Sequence, residues 1–493
     1  MSAPQEPRAA SVTAKPAPDD LVQPSQIGVA PIARRELSRR ATAWALWDWG
    51  SASFNAVITT FVFSRYIASD LFVDPAIVDA AGEGGSPELT RALAENASIV
   101  AWAIAIAGVL VAALAPVIGQ RSDGGGRRKL WVAVNTGVTI VAMIGMCFVA
   151  PVPEYIWLGA ALLAAGNLFF EFASVNYNAM LHQVSTKEAL GRTSGYGWGM
   201  GYVGGIVLLG LLLVLFIFPL ADPDAGGVLQ IPNGREGGAL DVRLAVLASA
   251  IWFLVFALPL LLKVPEVPPT GAAPKRVGML ESYRILFRTI GRIRRTAPKT
   301  LLFLVASAVF RDGLSGVFTF GAIIASSVFG FSSEEVILFA IAANVMAGAG
   351  TFIGGWADDR FGPKIVIVIS LVLLSISGLA VLFVEGKGMF WVFGLALSTF
   401  VGPVQSASRS FMARITPAGR EGEMFGLYAT TGRAVSFLAP TLFGIFVTVA
   451  GDVRFGILGI VLVLVAGLLL VLPVHPKPTV IEGEPSAVAT RAD

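Results

Sequence analysis

Five ionisable side chains stand deep inside long apolar runs of the chain: Asp48, Glu171, Arg311, Asp312 and Arg433. A charge at membrane depth costs about 2.5 to 3.5 kcal/mol on insertion scales, so each is expected to face protein or a water-filled cavity. The chemistry open to them is binding and proton exchange. An arginine can face an anionic group, and a carboxylate in a poorly solvated cavity, where its charged form is disfavoured, can take up a proton. At a rise of about 1.5 Å per residue, Asp48 lies about 9 Å inside its run and Arg311 with Asp312 falls near the middle of another. Glu171 sits in the inner half of its run and Arg433 near the middle of its own.

Other polar residues extend these charges into stripes whose spacing shares one helical face. They are Asp48, Ser51, Asn55 and Thr59; Asn167, Glu171, Ser174 and Asn178; Asp312, Ser315 and Thr319; and Gly402, Gln405 and Arg409. The structural alternative is that Arg311 and Asp312 neutralise each other or pair with neighbouring helices, while Asp48 and Glu171 tie helices together.

The elements that must position these stripes are membrane helices. Of 493 residues, 55% are hydrophobic and 14% charged, against about 25% charged in soluble domains. The apolar residues come in runs of about 20, the length that crosses a hydrocarbon core of roughly 30 Å as a helix. Spans are expected near 42–69, 96–118, 130–150, 154–181, 194–219 and 242–263, then near 299–328, 334–357, 363–384, 389–413, 422–449 and 453–474. The fold class is therefore all-α, with twelve transmembrane helices in two six-helix halves.

The domain reading follows. Residues 1–40 are expected as a disordered cytoplasmic tail, 41–263 as the N-terminal half, 264–298 as a cytoplasmic linker, 299–475 as the C-terminal half and 476–493 as a second disordered tail. In the linker, Met279, Leu280, Tyr283, Leu286, Phe287 and Ile290 recur at helical spacing, apart from Arg284, Arg288 and Arg292. That pattern predicts an amphipathic interfacial helix, with a solvated basic linker as the alternative.

Lysine and arginine mark the cytoplasmic side. RRELSRR precedes the first span, RSDGGGRRK follows the second, and Lys263 to Lys299 holds nine Lys or Arg against Glu266 and Glu281. The opposite side includes the loop from Asp70 to Glu95, with six acids and Arg91. Both termini are expected in the cytoplasm and the chain in the plasma membrane as a multi-pass monomer. The lone Cys147 forms no redox or disulfide framework. His182 and His475 offer no metal cluster, no cofactor is implied, and no phosphate-binding loop or nucleophile–base set is present, which argues against ATP-driven transport and enzymatic function. Nucleic acid is not expected as a partner.

An internal repeat sharpens the architecture. Gly119, Asp123 and Gly126 form G-x-x-x-D-x-x-G after span two, followed by Arg127 and Arg128, and Gly355, Asp359 and Gly362 repeat it after span eight. Asp241-Val242-Arg243 opens span six as Asp452-Val453-Arg454 opens span twelve, and NAMLHQVSTKEALGRTSG from Asn178 aligns with RSFMARITPAGREGEMFG from Arg409. Three echoes in order predict a duplicated six-helix unit.

The repeated loop resembles the signature loop of the major facilitator superfamily. That resemblance implies gating, with the aspartates and basic residues holding one conformation closed. In the second copy Pro363 and Lys364 replace Arg127 and Arg128, so a weaker lock is expected there; the plain alternative is a turn that only fixes topology. WALWDWGSASFNAVITTFVFSRY, FRDGLSGVFTFG and MFGLYATTGRAVSFLAPTLFG further resemble the vacuole-effluxer-like branch, whose fungal members are associated with autophagy and amino-acid release. The superfamily resemblance implies that spans one, four, seven and ten line a central cavity, where the stripes fall.

Gly197, Gly201 and Gly205 in span five are expected to let two helices pack closely. Tyr202 stands where the similar glycine-rich segment of drug–proton antiporters has proline. The expected function is secondary transport of a small solute coupled to protons, the family resemblance implying an amino acid or related metabolite. A drug or toxic-metabolite exporter, a sensor and a lipid-moving protein are the alternatives.

Overall fold

The computed structural model describes residues 20–26, 29–82, 85–217, 225–267 and 278–475. Helix α1 runs over Arg34–Ala52, passes into a π-helix over Ser53–Phe61 and ends in the short helix Phe63–Ile67. The N-terminal half continues with α2 (Pro87–Gly125), α3 (Arg128–Met146), α4 (Ile156–Ala179), α5 (Leu190–Leu212) and α6 (Leu240–Lys263). A connecting helix, Met279–Thr296, follows. The second half comprises α7 (Pro298–Ser327), α8 (Ser333–Phe361), α9 (Pro363–Phe383), α10 (Gly386–Ile415), α11 in two pieces (Glu421–Val435 and Leu438–Ala450) and α12 (Gly456–Val471). Eleven stretches among the described residues are long and apolar enough to cross a membrane; α1, interrupted by its π-helix, makes the twelfth.

Local chemistry sets several helix starts. The Ser86 hydroxyl accepts from Leu89 N ahead of Pro87, and Ser332 with Glu335 forms a reciprocal capping box, satisfying amides that lipid cannot. Pro298 and Pro363 occupy first-turn positions of α7 and α9, where a missing N–H costs nothing.

The duplication is visible in packing. Within the first half α1 packs on α5 and α6, α3 on α4 and α6, and α2 on α4; α7 to α12 repeat each of these contacts in the same order. Even the loop echo is structural: Arg243 donates to the Cys147 carbonyl just past α3 (2.7 Å), and Arg454 to the Leu382 carbonyl near the end of α9 (3.5 Å). The halves meet chiefly where α2 lies along α11 and α5 along α8. Large apolar side chains such as Trp102, Trp157, Leu262 and Phe383 face outward, as lipid-facing surfaces require.

One segment differs from the sequence reading, and a second, the expected helix of the linker, divides its apolar stripe. Within the stretch assigned to a disordered tail, residues 1–19 lie outside the described residues, but Leu21–Val22 pairs with Ile32–Ala33 and Gln26 is buried. Their backbone is held by Ser25 N–H to the Ser185 carbonyl (2.8 Å) and Gln26 N–H to the His182 carbonyl (2.9 Å). On the connecting helix the apolar stripe divides. Leu286 is buried against the bundle together with Ser282, Thr289 and Ile293, whereas Leu280 and Phe287 stay exposed with Arg284, Arg288 and Arg292. The 268–277 part of the linker and the 476–493 tail lie outside the described residues.

Candidate functional site

At the face carrying the described chain ends, the repeated loops close the two halves against each other. Asp123, on the last turn of α2, accepts from the amides of Gly422 (2.9 Å) and Glu423 (2.8 Å) at the start of α11, where the helix dipole favours a negative charge. Arg128 binds Asp123 at 2.7 Å and Glu421 of the other half at 2.5 Å. Gly119 is glycine because backbone meets backbone there: a Cβ would lie 1.9 Å from the Gly422 carbonyl oxygen. Gly126 then ends α2 in the left-handed region at φ 59°, which suits glycine. Arg127 stays exposed beside this cluster.

The second copy mirrors the first. Asp359, near the end of α8, accepts from Gly191 N–H at the start of α5 (2.7 Å) and from Arg192 N–H (3.1 Å). Gly191 and Gly422 are the equivalent positions of the third sequence echo, so each aspartate caps the corresponding helix of the opposite half. Gly355 packs on the Gly191 carbonyl, and Gly362 leaves α8 at φ 90°. The basic partner differs: Lys364 turns away to the Leu472 carbonyl, and Arg414 of α10 instead binds Asp358 (3.0 Å) and Asp359 (3.3 Å). Asp358, which also accepts from Ser410, is a residue of this cluster that sequence reasoning missed. The doubled acid in GWADDRFG was the available signal.

One layer deeper, Arg409 of α10 crosses into the first half. Its guanidinium contacts Asp48 of α1 (3.1 Å), Asn178 of α4 (3.2 Å) and both the hydroxyl (2.9 Å) and carbonyl (2.6 Å) of Ser194. Asp48 also accepts from the Tyr177 hydroxyl at 2.8 Å. Gly197 of α5 leaves the room for this cluster, since a Cβ there would lie 2.7 Å from the Asp48 carboxylate. Gly201 passes over the Asp48 backbone, Gly204 meets Trp49, and Gly205 beside it is buried.

Further from the closed face the stripes open. Arg409 is 3% exposed as a residue and Glu421 also 3%, but the side chains of Glu171 and Arg433 are 24% and 31% exposed. Accessibility therefore rises from the end-bearing face toward this layer. Glu171 of α4 and Arg433 of α11 form an ion pair between the two halves there. Arg311 of α7 lies 4.0 Å over the Tyr428 ring and donates to the Tyr428 carbonyl (3.2 Å), while Tyr428 O–H and Ser408 share a hydrogen bond. Gln405 accepts from Tyr202 at 2.7 Å.

Arg311 and Asp312 therefore point to different neighbours. Asp312 accepts from Ala439 N–H (2.6 Å), capping the second piece of α11 directly after its break at Ser436 and Phe437. Asn55 is exposed on the π-helix of α1, and its carbonyl accepts from the Thr59 (2.6 Å) and Thr60 (2.8 Å) hydroxyls. A π-segment in the first half and a broken helix in the second thus supply irregular backbone, which membranes tolerate only where it is buried in protein or lines water.

The N-terminal segment around the buried Gln26 completes the closed face. Gln26 Oε1 accepts from Arg128 (3.2 Å), and His182 bridges Ser25 through Nδ1 (2.8 Å) and the Ala413 carbonyl through Nε2 (3.1 Å). Because a carbonyl only accepts, Nε2 carries the hydrogen and Nδ1 accepts from the serine. Burial is the main cause holding His182 below the usual imidazole range, with Glu421 opposing it. Neither Gln26 nor His182 carried a sequence signal for this role, because their contacts span more than 100 residues.

Against this geometry, the model of the family described as "Vacuole effluxer Atg22 like" matches residues 182–478. The chain is 24% identical over 439 residues to the uncharacterized MFS-type transporter YxiO of Bacillus subtilis, covering 88% of this chain and 95% of that one. It is 25% identical over 322 residues to Autophagy-related protein 22 of Cryptococcus neoformans, covering 60% of this chain and 54% of that protein, so it spans about half the length of this fungal relative. The solved E. coli fucose:proton symporter FucP superposes with a TM-score of 0.63 at 14% identity, over 89% of this chain and 98% of that one, a likeness of fold. The chain is an integral, multi-pass membrane protein and belongs to the vacuole effluxer Atg22-like family of major facilitator transporters.

Proposed function

We propose that this transporter moves a small polar or zwitterionic solute, an amino acid or related metabolite, by proton-coupled alternating access across the plasma membrane, with both termini in the cytoplasm. The observation that carries the reading is the Glu171–Arg433 pair. It joins the two halves and stays partly solvated, so the two ends of a zwitterion can compete for its partners. Arg311 over Tyr428 adds a second cation at the wall. The amino-acid class leans on the family description and on the fungal relatives.

On this reading the described conformation faces outward, and the Asp123 and Asp359 caps are the cytoplasmic gate. Asp48, Glu171 and Asp312 are the carboxylates available to a coupling proton. Asn55, Asn178, Gln405 and Arg409 shape the floor and walls.

A thermal-shift panel of amino acids, sugars and nucleosides identifies a solute to follow. Uptake of that solute into vesicles, with and without a pH gradient, is then measured for Asp48→Asn, Glu171→Gln and Asp312→Asn. Loss of the gradient dependence in one of them is expected. An unchanged proton dependence in all three removes the coupling claim.

A further inference from the structure

The Arg409 guanidinium comes from the second half, yet groups of the first half surround it on many sides. Its central carbon lies 4.8 Å from the Trp44 ring centre, 5.5 Å from Trp198 and 5.8 Å from Tyr177, all within cation–π range. Asp48 supplies the carboxylate, Asn178 an amide oxygen and Ser194 two oxygens. Trp44 and Tyr177 are themselves held, stacked 4.5 Å apart, with Trp44 Nε1 donating to the Tyr177 carbonyl (3.0 Å). An aromatic box with one acid is the chemistry that recognises an organic cation. In this conformation a side chain of the protein fills it.

Alternating access requires the halves to part at this face, which draws Arg409 out with α10. The box would then hold a carboxylate with no counter-charge, and a buried charge stripped of its partner is strongly unfavourable. We propose that the vacated box takes the cationic group of the transported solute, an ammonium or guanidinium, so that Arg409 and the solute exchange places on Asp48. This rests on the transport reading above and deepens it: the solute is one that carries an organic cation, and Asp48 is assigned to the solute rather than to the coupling proton.

The test uses the purified full chain and small cations, and does not depend on transport. Arg409→Gln removes the resident cation and keeps a polar stem. Its thermal midpoint is measured in guanidinium chloride or methylammonium chloride at millimolar concentration against sodium chloride of equal ionic strength, with tryptophan fluorescence as a second readout. A saturable rise of several degrees with a fluorescence change is expected in Arg409→Gln, with little response in the unsubstituted chain. Asp48→Asn combined with Arg409→Gln should abolish the response, and the milder Arg409→Lys should restore the unsubstituted behaviour without added cation. No cation-specific response in Arg409→Gln, or an equal response in the double variant, overturns the proposal. A response that depends on pH alone assigns Asp48 to a proton and overturns it too. Cation rescue without solute exchange in vesicles would leave the box standing and remove the transport reading.

Discussion

Gly119→Ala gives the sharpest handle on the proposed gate. The added methyl would sit 1.9 Å from the Gly422 carbonyl oxygen and 2.4 Å from its carbon, whereas ordinary contact begins at 3.4 Å. The clash is with backbone, so no side chain can swing away. Helices α2 and α11 must separate by about 1.5 Å, the difference between 3.4 and 1.9 Å. That separation stretches the Gly422 and Glu423 amides away from Asp123, now 2.9 and 2.8 Å distant. Overpacking of this kind costs about 1–3 kcal/mol, and each hydrogen bond to a charged group contributes about 1.5–3 kcal/mol. A combined penalty of at least about 3 kcal/mol lowers the closed-to-open ratio at this face roughly a hundredfold. Spin labels on Gly125→Cys and Ala418→Cys, in a Cys147→Ser background, report the separation by pulsed electron resonance. The Gly119→Ala distribution should shift several ångströms longer. Gly137→Ala, whose Cβ meets nothing within 4 Å, should leave it unchanged. Because alanine raises helix propensity, general destabilisation of α2 is not a competing cause. An unshifted distribution in Gly119→Ala refutes the reasoning.

The same label pair tests the histidine. Burial lowers the His182 pKa from 6.5, so its contribution to the closed state is complete above the unfolded value and is lost as pH falls toward the lowered one. Acidification below about pH 6.5 should lengthen the distance in the unsubstituted chain, and less so in His182→Gln; identical titrations would contradict the assignment. Exchanging the charges of the cavity pair, Glu171→Arg with Arg433→Glu, should recover thermal stability that either single reversal loses by several degrees, and a double variant no better than the singles would show that the two do not act as a pair. Asp312→Ala removes the cap on the second piece of α11 and should lower stability by about 0.5–2 kcal/mol, while Asp312→Asn, which keeps an acceptor, should lose less; equal losses in denaturant melts would rule out capping as its structural role.

Much of the architecture was legible because lipid enforces it. Runs long enough to cross the bilayer, and an aspartate repeated at equivalent helix ends, follow from rules that act locally along the chain. The stripe of α1 was legible only in part. The π-helix from Ser53 changes the residue spacing around the axis, so Ser51 is buried while Asn55 is exposed, and a 3.6-residue period does not anticipate that change. The break in α11 was hidden for a similar reason: Asp312 caps it from 127 residues away. Arg409 was singled out for its place in a stripe, but the box that receives it draws on α1, α4 and α5 together. Gln26 lay in a stretch whose composition reads as disordered, and only its fit beside Arg128 and His182 gives it a place.

Counterflow in proteoliposomes tests the central claim most directly. Vesicles loaded with the unlabelled solute found by thermal shift are diluted into a trace of the same solute carrying label. The account predicts a transient accumulation of label that Glu171→Gln and Gly119→Ala both diminish. A chain that binds the solute with full thermal stabilisation but exchanges no label would contradict it.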